Sequence, residues 1–347
     1  MTPALRIVAP GLSTTVQDLG RPGFQRLGVA VGGALDPVSL QAANLLVGNP
    51  AGAGALEALY VGPTFAVEAD DVRLSFVGAA AEIEILADAN ARTGETISSM
   101  RSIRVRRGQH VRVGSLKNGA TLYIAAEGGF AIEPTLGSVS TDCRGKIGGW
   151  HGRALVCGDA LPLRRGAVED RDEYRIEGLD LAPLRRVRAI CGPQSDYFSQ
   201  AEIDGFFGGE FTVSAGSNRM GMRLQGGAVR HCRGFNIISD AIATGSIQVP
   251  GSGQPIVLLA DHQTTGGYPK IATVISADLP ALGRLPIGAK ISFAATTLDE
   301  AAAARRKLAA DINGIGDKIV RIPPSGIFVA ARLLECNLIS GVCDAAA

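Results

Sequence analysis

Most of the chain consists of short apolar runs separated by turns rich in glycine and proline. Residues 72–77 and 81–86 are two such runs, and Gly78 between them is expected to form a small turn. Residues 103–113 alternate apolar and polar side chains on both sides of Gly108, which is typical of a half-buried hairpin. Further strands are expected at residues 121–126, 187–191, 211–214, 256–260 and 291–294. The pattern predicts a mainly β protein.

Helices are predicted at only two places. Residues 37–47 follow Asp36, which can accept hydrogen bonds from the free N–H groups of the first turn, and Pro37 suits the first helical position. Gly48 can adopt the left-handed conformation that ends a helix. The second helix is expected to begin after Thr297, which has capping-box spacing to Glu300, and to reach about Asn313.

A charged segment at residues 168–188 is the best candidate for a connection between two β-rich lobes. We therefore predict an N-terminal lobe at residues 1–175, a β-barrel lobe at 176–297, and a helix with a C-terminal tail at 298–347. Apolar residues in the tail, such as Leu333, Leu334 and Ile339, are expected to pack back on the body.

Composition narrows the classes of function. Hydrophobic residues make up 46% of the chain and charged residues 19%, so a large core can form. The net charge of +1 gives no reason to expect nucleic acid or an anionic membrane as a partner. The six cysteines form no Cys-x-x-Cys pair and the four histidines lie far apart, so neither a metal site nor a disulfide framework is expected. No signal peptide or long apolar run is found, and a cytoplasmic location is expected.

Several catalytic motifs are absent from the sequence. It contains no phosphate-binding P-loop, no G-x-S-x-G elbow and no H-E-x-x-H motif. It also lacks a Met-Lys-Met segment of the kind that carries covalent biotin. If the reaction consumes ATP, another chain is expected to bind it.

Four polar segments, each punctuated by glycine, stand out from the apolar background. Each places side-chain donors and acceptors on a turn beside a predicted buried strand, and loops held by rigid strands are favoured places for ligand contacts. They are residues 11–50, residues 217–224 (SNRMGMRL), residues 245–250 (GSIQVP) and residues 261–280 (DHQTTGGYPKIATVISADLP).

These four segments, in this order, resemble the family called allophanate hydrolase subunit 2, or carboxyltransferase subdomains A and B. The resemblance extends from about Leu5 to Phe293 and also includes the motif VQDLGRPG in the first segment. The family includes 5-oxoprolinase C subunits, to which the pattern is most similar, KipA-type antagonists of a sporulation kinase inhibitor, and the carboxyltransferase part of urea carboxylase. One residue departs from the pattern, since His262 stands where many relatives have Arg.

The resemblance implies β-barrel lobes of cyclophilin-like type, with few helices. It also implies two partner chains, which are the KipI-like B subunit and the A subunit of an ATP-dependent 5-oxoprolinase. The implied reaction converts 5-oxo-L-proline, ATP and water to L-glutamate, ADP and phosphate. We expect no covalently bound cofactor on this chain, and we expect ATP with Mg to be bound by one of the partner chains.

The carboxylate of such a substrate needs a cationic partner. Arg219 and Arg223 are our candidates, because a guanidinium donates two parallel hydrogen bonds to a carboxylate. They would share a face only if their segment were helical. The alternative is that they pair with acidic residues across the interface between the lobes.

The lactam itself needs hydrogen bonds and charge stabilisation. Asp261 is a candidate base, Tyr268 and Lys270 could stabilise an oxyanion, and Gln263 completes the candidate catalytic set. Their alternatives are a turn cap for Asp261, packing of Tyr268 on Pro269, and a solvated Lys270. Further candidates for substrate binding, for which stabilisation of turns is the alternative, are Gln248, Thr264, Thr265, Gly266 and Gly267.

The N-terminal segment supplies four further candidates for substrate binding. Gln17, Asp18 and Arg21 could contact substrate, or Asp18 and Arg21 could form a structural ion pair. We expect the glycine-rich turns of both lobes to converge on one polar cleft. Asn44, on the first predicted helix, could face this cleft or be buried with its hydrogen bonds satisfied.

Three functions remain open from sequence. The first is a component of an oxoprolinase, active only within a complex. The second is a carboxyltransferase that moves CO2 from carboxybiotin to urea or a similar amide. The third is a regulator that binds a partner resembling the oxoprolinase B subunit without turnover.

Overall fold

The computed structural model describes residues 2–323, and it confirms the mainly β class. Predicted features of the tail, including Leu333, Leu334 and Ile339, lie outside the described residues. The described part contains four α-helices: α1 (Pro37–Leu46), α2 (Gln200–Gly208), α3 (Leu279–Gly283) and α4 (Leu298–Asn313). Short 3-10 helices occur at Gln25–Leu27, Ser195–Tyr197 and Gly316–Lys318.

The strands make up the rest of the regular structure. They are β1 (Ala4–Ala9), β2 (Ser13–Gln17), β3 (Ala55–Leu59), β4 (Thr64–Val67), β5 (Asp71–Ala80), β6 (Ile83–Leu86), β7 (Glu95–Ile97), β8 (Arg101–Arg106), β9 (His110–Val113), β10 (Lys117–Ala126), β11 (Ala160–Pro162), β12 (Tyr174–Ile176), β13 (Arg186–Cys191), β14 (Glu210–Val213), β15 (Gly221–Gln225), β16 (Asp240–Ala241), β17 (Ser246–Gln248), β18 (Ile256–Leu258), β19 (Thr265–Gly266), β20 (Lys270–Val274), β21 (Lys290–Ala295) and β22 (Ile319–Arg321).

Two sheets form the first lobe. One has the order β11-β1-β4-β9-β6-β7 and the other the order β2-β3-β10-β5-β8-β12-β22. Apolar side chains from both sheets, such as Ile7, Phe65, Phe76 and Leu122, form one core between them. The other face of the second sheet packs against α1 through Leu40 and its neighbours. The second sheet is therefore covered on both faces.

Helix α1 begins as the sequence predicts. The carboxylate of Asp36 accepts hydrogen bonds from the backbone N–H groups of Val38 and Ser39, at 3.1 and 3.3 Å. Gly48 has φ +76°, the left-handed conformation expected after the last turn. Helix α4 also begins at its predicted capping box, formed by Thr297 and Glu300.

Two local predictions in the first lobe are wrong. Residues 103–113 do not form a hairpin, because β8 pairs with β5 and β12 whereas β9 pairs with β4 and β6 in the other sheet. Gly78 does not form the turn either. It lies inside β5 with φ +135° at a register shift opposite β10, and a Cβ at this position would lie 2.5 Å from the Thr121 carbonyl oxygen.

The second lobe is a closed barrel of seven strands in the order β13-β20-β17-β18-β15-β14-β21. It closes through a parallel pairing of β13 with β21. Helix α2 covers one side, where Phe206 stacks on Phe293 with ring centroids 4.8 Å apart. The turns at the ends of β15 and β18 carry two of the four polar segments found in the sequence.

The chain returns to the first lobe after the barrel. Leu308 and Ile312 of α4 pack against the apolar cluster around α1, and β22 pairs with β12. The domain boundaries at residues 175 and 297 stay a prediction. Across residues 2–323, no helix is both long enough and apolar enough to span a bilayer.

Candidate functional site

A buried cluster of charged side chains joins the two lobes. Arg219 precedes β15 of the barrel and donates to both carboxylate oxygens of Asp261, from Nε at 2.7 Å and from Nη2 at 2.8 Å. Its Nη1 donates to Glu57, which lies on β3 of the first lobe. Nη2 also donates to the Gly33 carbonyl oxygen at 2.6 Å. The loops that carry Arg219 and Asp261 therefore meet at the interface between the lobes.

Further buried groups extend this cluster into the first lobe. The Tyr123 hydroxyl donates to Glu57 at 2.5 Å and accepts from the backbone N–H of Asp36 at 2.8 Å. The Asp36 carboxylate accepts in turn from Arg284, at 2.9 Å. A continuous path of hydrogen bonds thus runs from Arg284 to Asp261.

The protonation states in the cluster follow from burial and neighbouring charge. Burial alone would lower the pKa of the Arg219 guanidinium, but Asp261 and Glu57 outweigh it and hold that pKa above its usual value. Burial raises the pKa of Tyr123, and the charges of Glu57 and Asp36 raise it further. Arg219 is therefore a fixed cation, and Tyr123 is a fixed hydrogen-bond donor.

Two cavities lie beside Asp261. The larger, of about 390 Å³, is mostly apolar and is lined from both lobes, for example by Leu35, Leu59 and Met222. The smaller, of about 310 Å³, is polar and includes Gln263, Thr264 and Thr265 in its wall. Both cavities share Asp261, Asp142 and Arg144. Their position, between two lobes and partly apolar with a few polar groups, is typical of small-molecule sites.

The shared wall is a tight turn at residues 142–147. Asp142 and Ile147 exchange two backbone hydrogen bonds, of 2.8 and 3.1 Å. Oδ1 of Asp142 accepts from the backbone N–H groups of Arg144 and Gly145, at 3.0 Å each. Within this turn, burial and the charge of Asp261 raise the pKa of the Cys143 thiol. Cys143 therefore lines the larger cavity as a thiol and is not primed as a nucleophile.

His262 is buried beside Asp261 and stays neutral. Burial lowers the pKa of its imidazole. Its Nδ1 lies 2.6 Å from the carbonyl oxygen of Gln263, and its Nε2 lies 3.0 Å from the Thr244 hydroxyl. A proton on Nδ1 satisfies both contacts, since the hydroxyl then donates to Nε2. His262 supplies no positive charge to the polar cavity.

Residues 138–141, directly before the 142–147 turn, are bound by the side chains of Gln17, Asp18 and Arg21. Asp18 accepts from the hydroxyls of Ser138 and Ser140, at 2.6 and 2.5 Å, whereas Arg21 donates to the Ser140 carbonyl oxygen. Gln17 donates to the Thr141 carbonyl oxygen at 3.2 Å. The alternative of an Asp18–Arg21 ion pair is wrong, because each side chain binds the segment before the turn separately.

Other predicted site residues lie away from both cavities. Lys270 is buried and donates from Nζ to Asp240 at 2.7 Å. Gln248 is buried with its amide nitrogen 3.5 Å from the carbonyl oxygen of Tyr268, a residue that is 40% exposed. Arg223 is exposed on β15, whereas Arg219 is buried just before this strand.

Asn44 and the paired glycines have structural contacts. The amide of Asn44 is fully buried and donates to the carbonyl oxygens of Leu40, Ala51 and Ala53. A Cβ at Gly266 would lie 2.6 Å from Nε2 of Gln248, so a larger residue there would displace the Gln248 amide. Gly267 accepts at its carbonyl oxygen from Ile237 N–H, at 2.9 Å.

Four residues of the site were missed from sequence: Glu57, Tyr123, Asp142 and Arg144. Glu57 gave one usable signal, because it is a lone acid within the apolar run ALEAL and a buried acid needs a partner. Asp142 and Arg144 gave a weaker one, since an Asp two residues before an Arg only suggests a turn.

The comparisons with known proteins agree on one family. Residues 27–295 match the carboxyltransferase domain, subdomain A and B. The chain is 39% identical to the C subunit of 5-oxoprolinase from Escherichia coli over 303 residues, which cover 87% of this chain and 94% of that protein.

Solved structures show the same fold. The crystal structure of TTHA0988 has a TM-score of 0.74 and 36% identity over 85% of this chain, which spans only 56% of that one. Urea amidolyase of K. lactis has a TM-score of 0.82 and 28% identity over 92% of this chain, which spans 21% of that one. The chain thus corresponds to about half of TTHA0988 and a fifth of the urea amidolyase.

Proposed function

The chain belongs to the family of carboxyltransferase domains, subdomains A and B, and we propose that it is the C subunit of an ATP-dependent 5-oxoprolinase. The observation that carries this proposal is its match to the Escherichia coli protein, which is 39% identical and covered over 94% of its length. The match of residues 27–295 to the family model includes the loops of the inter-lobe site. Within such a complex the chain helps to open the lactam of 5-oxo-L-proline.

The polar cavity supports this chemistry. Gln263, Thr264 and Thr265 line it, and no described residue takes up their side-chain hydrogen-bonding groups. These groups can bind the carbonyl oxygen and the N–H of a lactam. The Arg219–Asp261–Glu57 cluster fixes the loop that bears them, so they are held in place before the substrate arrives. Asp261 has both oxygens engaged by Arg219 and acts as a positioning residue.

The remaining parts of the reaction belong to the partner chains in this proposal. The sequence has no P-loop, and we assign the binding of ATP with Mg to the A or B component of the complex. Phosphorylation of the lactam oxygen would weaken its amide resonance and prepare the carbonyl carbon for water. Lys270 and Tyr268 lie outside both cavity walls, and the proposed mechanism does not use them.

A second function is favoured by one observation. The match to urea amidolyase covers 92% of this chain with a TM-score of 0.82, so the same cavities could accept urea and a carboxybiotin supplied by a partner. Urea is small and uncharged, and it would bind through the same hydrogen-bonding groups.

Reconstitution separates these functions. The chain is co-expressed with the products of its neighbouring genes, the complex is purified, and ADP and glutamate are measured with 5-oxo-L-proline as substrate. We expect ADP and glutamate to form together and to require every component of the complex. Biotin-dependent carboxylation of urea by the same complex, without glutamate from 5-oxo-L-proline, would favour the second function. Glutamate release by this chain alone would contradict the proposal.

A further inference from the structure

Arg219, one of the two arginines predicted to bind the substrate's carboxylate, is fully engaged within the protein. Its guanidinium nitrogens donate to Asp261, Glu57 and Gly33. A guanidinium binds a carboxylate best through two parallel N–H groups, and Arg219 already presents such a pair to Asp261. If the substrate is 5-oxo-L-proline, as in the proposed function, its carboxylate needs a different partner.

We propose that Arg144 binds the carboxylate of the substrate. Arg144 lines both inter-lobe cavities, and within residues 2–323 its guanidinium makes no ion pair and no side-chain hydrogen bond. Its backbone is held by the Asp142 carboxylate and by the closed 142–147 turn. The backbone of Arg144 is thus held in place by the turn, whereas its guanidinium remains available to bind a ligand.

The charges around Arg144 define the class of ligand. Both carboxylate oxygens of Asp261 are engaged by Arg219, whereas Asp142 uses Oδ1 for two backbone N–H groups and has no described donor at Oδ2. The polar cavity therefore offers one cation, Arg144, and one spare carboxylate oxygen. A ligand with both a carboxylate and an N–H donor matches this pair, and a simple anion does not. An N-unsubstituted lactam acid such as 5-oxo-L-proline has both groups on adjacent atoms.

The same pair discriminates between amides. Urea and unsubstituted lactams can donate N–H groups to Asp142 but leave Arg144 without a partner. Arg144 is then the residue that selects amides bearing a carboxylate.

The test compares two ligands and three variants in the assembled complex without ATP. Dissociation constants are measured by calorimetry for 5-oxo-L-proline and for 2-pyrrolidinone, which is the same lactam without the carboxylate. Arg144→Gln removes the cation, Arg144→Lys keeps the charge but loses the planar fork, and Arg106→Gln is the matched control. Arg106 is exposed at the end of β8 and lines neither cavity. Thermal midpoints confirm that each variant is folded.

We expect Arg144→Gln to weaken binding of 5-oxo-L-proline by about tenfold or more, with no change for 2-pyrrolidinone. The affinity of Arg144→Lys for 5-oxo-L-proline should lie between those of the wild type and Arg144→Gln, and Arg106→Gln should bind it as the wild type does. The inference is overturned if Arg144→Gln weakens both ligands equally or neither. If the wild-type complex neither binds nor hydrolyses 5-oxo-L-proline, the proposed function fails and this inference fails with it.

Discussion

At the scale of single residues, the site depends on charges that are buried and paired. Two carboxylates, Glu57 and Asp261, share the single guanidinium of Arg219, and all three side chains are almost inaccessible to solvent. A buried ion pair adds little net stability over an apolar replacement of the whole pair. Removing one partner is costly, however, because the other charge is left buried and unpaired.

Arg219→Ala should therefore lower the free energy of unfolding by about 3–5 kcal/mol. The matched control is Arg223→Ala, four residues later, where the side chain is exposed and the expected change is within about 0.5 kcal/mol. Equilibrium unfolding in urea, followed by circular dichroism, measures both. Equal changes for the two variants would show that the cluster contributes nothing to stability.

His262 should make the stability of the protein depend on pH. Burial lowers the pKa of its imidazole in the folded state, whereas in the unfolded chain this pKa is about 6.5. The unfolded state therefore binds the proton more readily, and the contribution of His262 is complete above pH 6.5 and declines as the pH falls below it.

The pH dependence is measured as the free energy of unfolding between pH 5 and pH 8, a range chosen to span the ordinary pKa of about 6.5. His262→Gln should flatten the decline below pH 6.5, because it removes the titrating group while it keeps a hydrogen-bonding side chain. If wild type and variant decline with the same slope, His262 is not the group responsible.

At the scale of elements, the sequence predicted the ends of α1 and α4 and nine of the 22 described strands. It missed α2 and α3, and it did not show how the strands pair. Helix α1 could be predicted because Asp36 and Gly48 act on their own neighbours along the chain. The alternation of residues 103–113 likewise predicted two half-buried strands. It could not show that β8 and β9 enter different sheets, since either pairing buries the same faces.

The turn that carries Arg144 should be sensitive to a methyl group added at the nearby Gly149. Gly149 has φ +55°, and a Cβ there would overlap the Thr141 hydroxyl. Gly137 has φ +79° with no atom within 4 Å of its would-be Cβ. Both alanine variants carry the left-handed strain of about 1–2 kcal/mol, but Gly149→Ala should cost a further amount of about 1–3 kcal/mol from overpacking.

Urea unfolding of Gly149→Ala and Gly137→Ala tests this difference. Gly149→Ala should also weaken binding of 5-oxo-L-proline, because the Arg144 turn must shift to accept the methyl group. Equal stabilities and equal affinities would mean that the packing around Gly149 plays no part in holding the turn.

At the scale of the whole molecule, the prediction that glycine-rich turns from both lobes converge on one polar cleft is supported by the lining of the polar cavity. Gly28 and Ala30 of the first polar segment line it together with Asp261 and Gln263 of the fourth. The individual partners could not be predicted, because Glu57 meets Arg219 across 162 positions of sequence and only the packing of the two lobes decides that contact. The same packing leaves Lys270 paired with Asp240, away from the cleft. The sequence pattern therefore identified the loops of the site, but the packing of the two lobes determines which of their side chains line the cavities.

The central claim is that the substrate binds between the lobes, and a crystal structure of the assembled complex with 5-oxo-L-proline tests it most directly. We predict ligand density in the polar cavity, with the carboxylate at Arg144 and the lactam ring beside Gln263. Ligand density elsewhere, for example in the cavity of about 650 Å³ beside Arg165 and Arg171, with the inter-lobe cavities free of ligand, would contradict the claim.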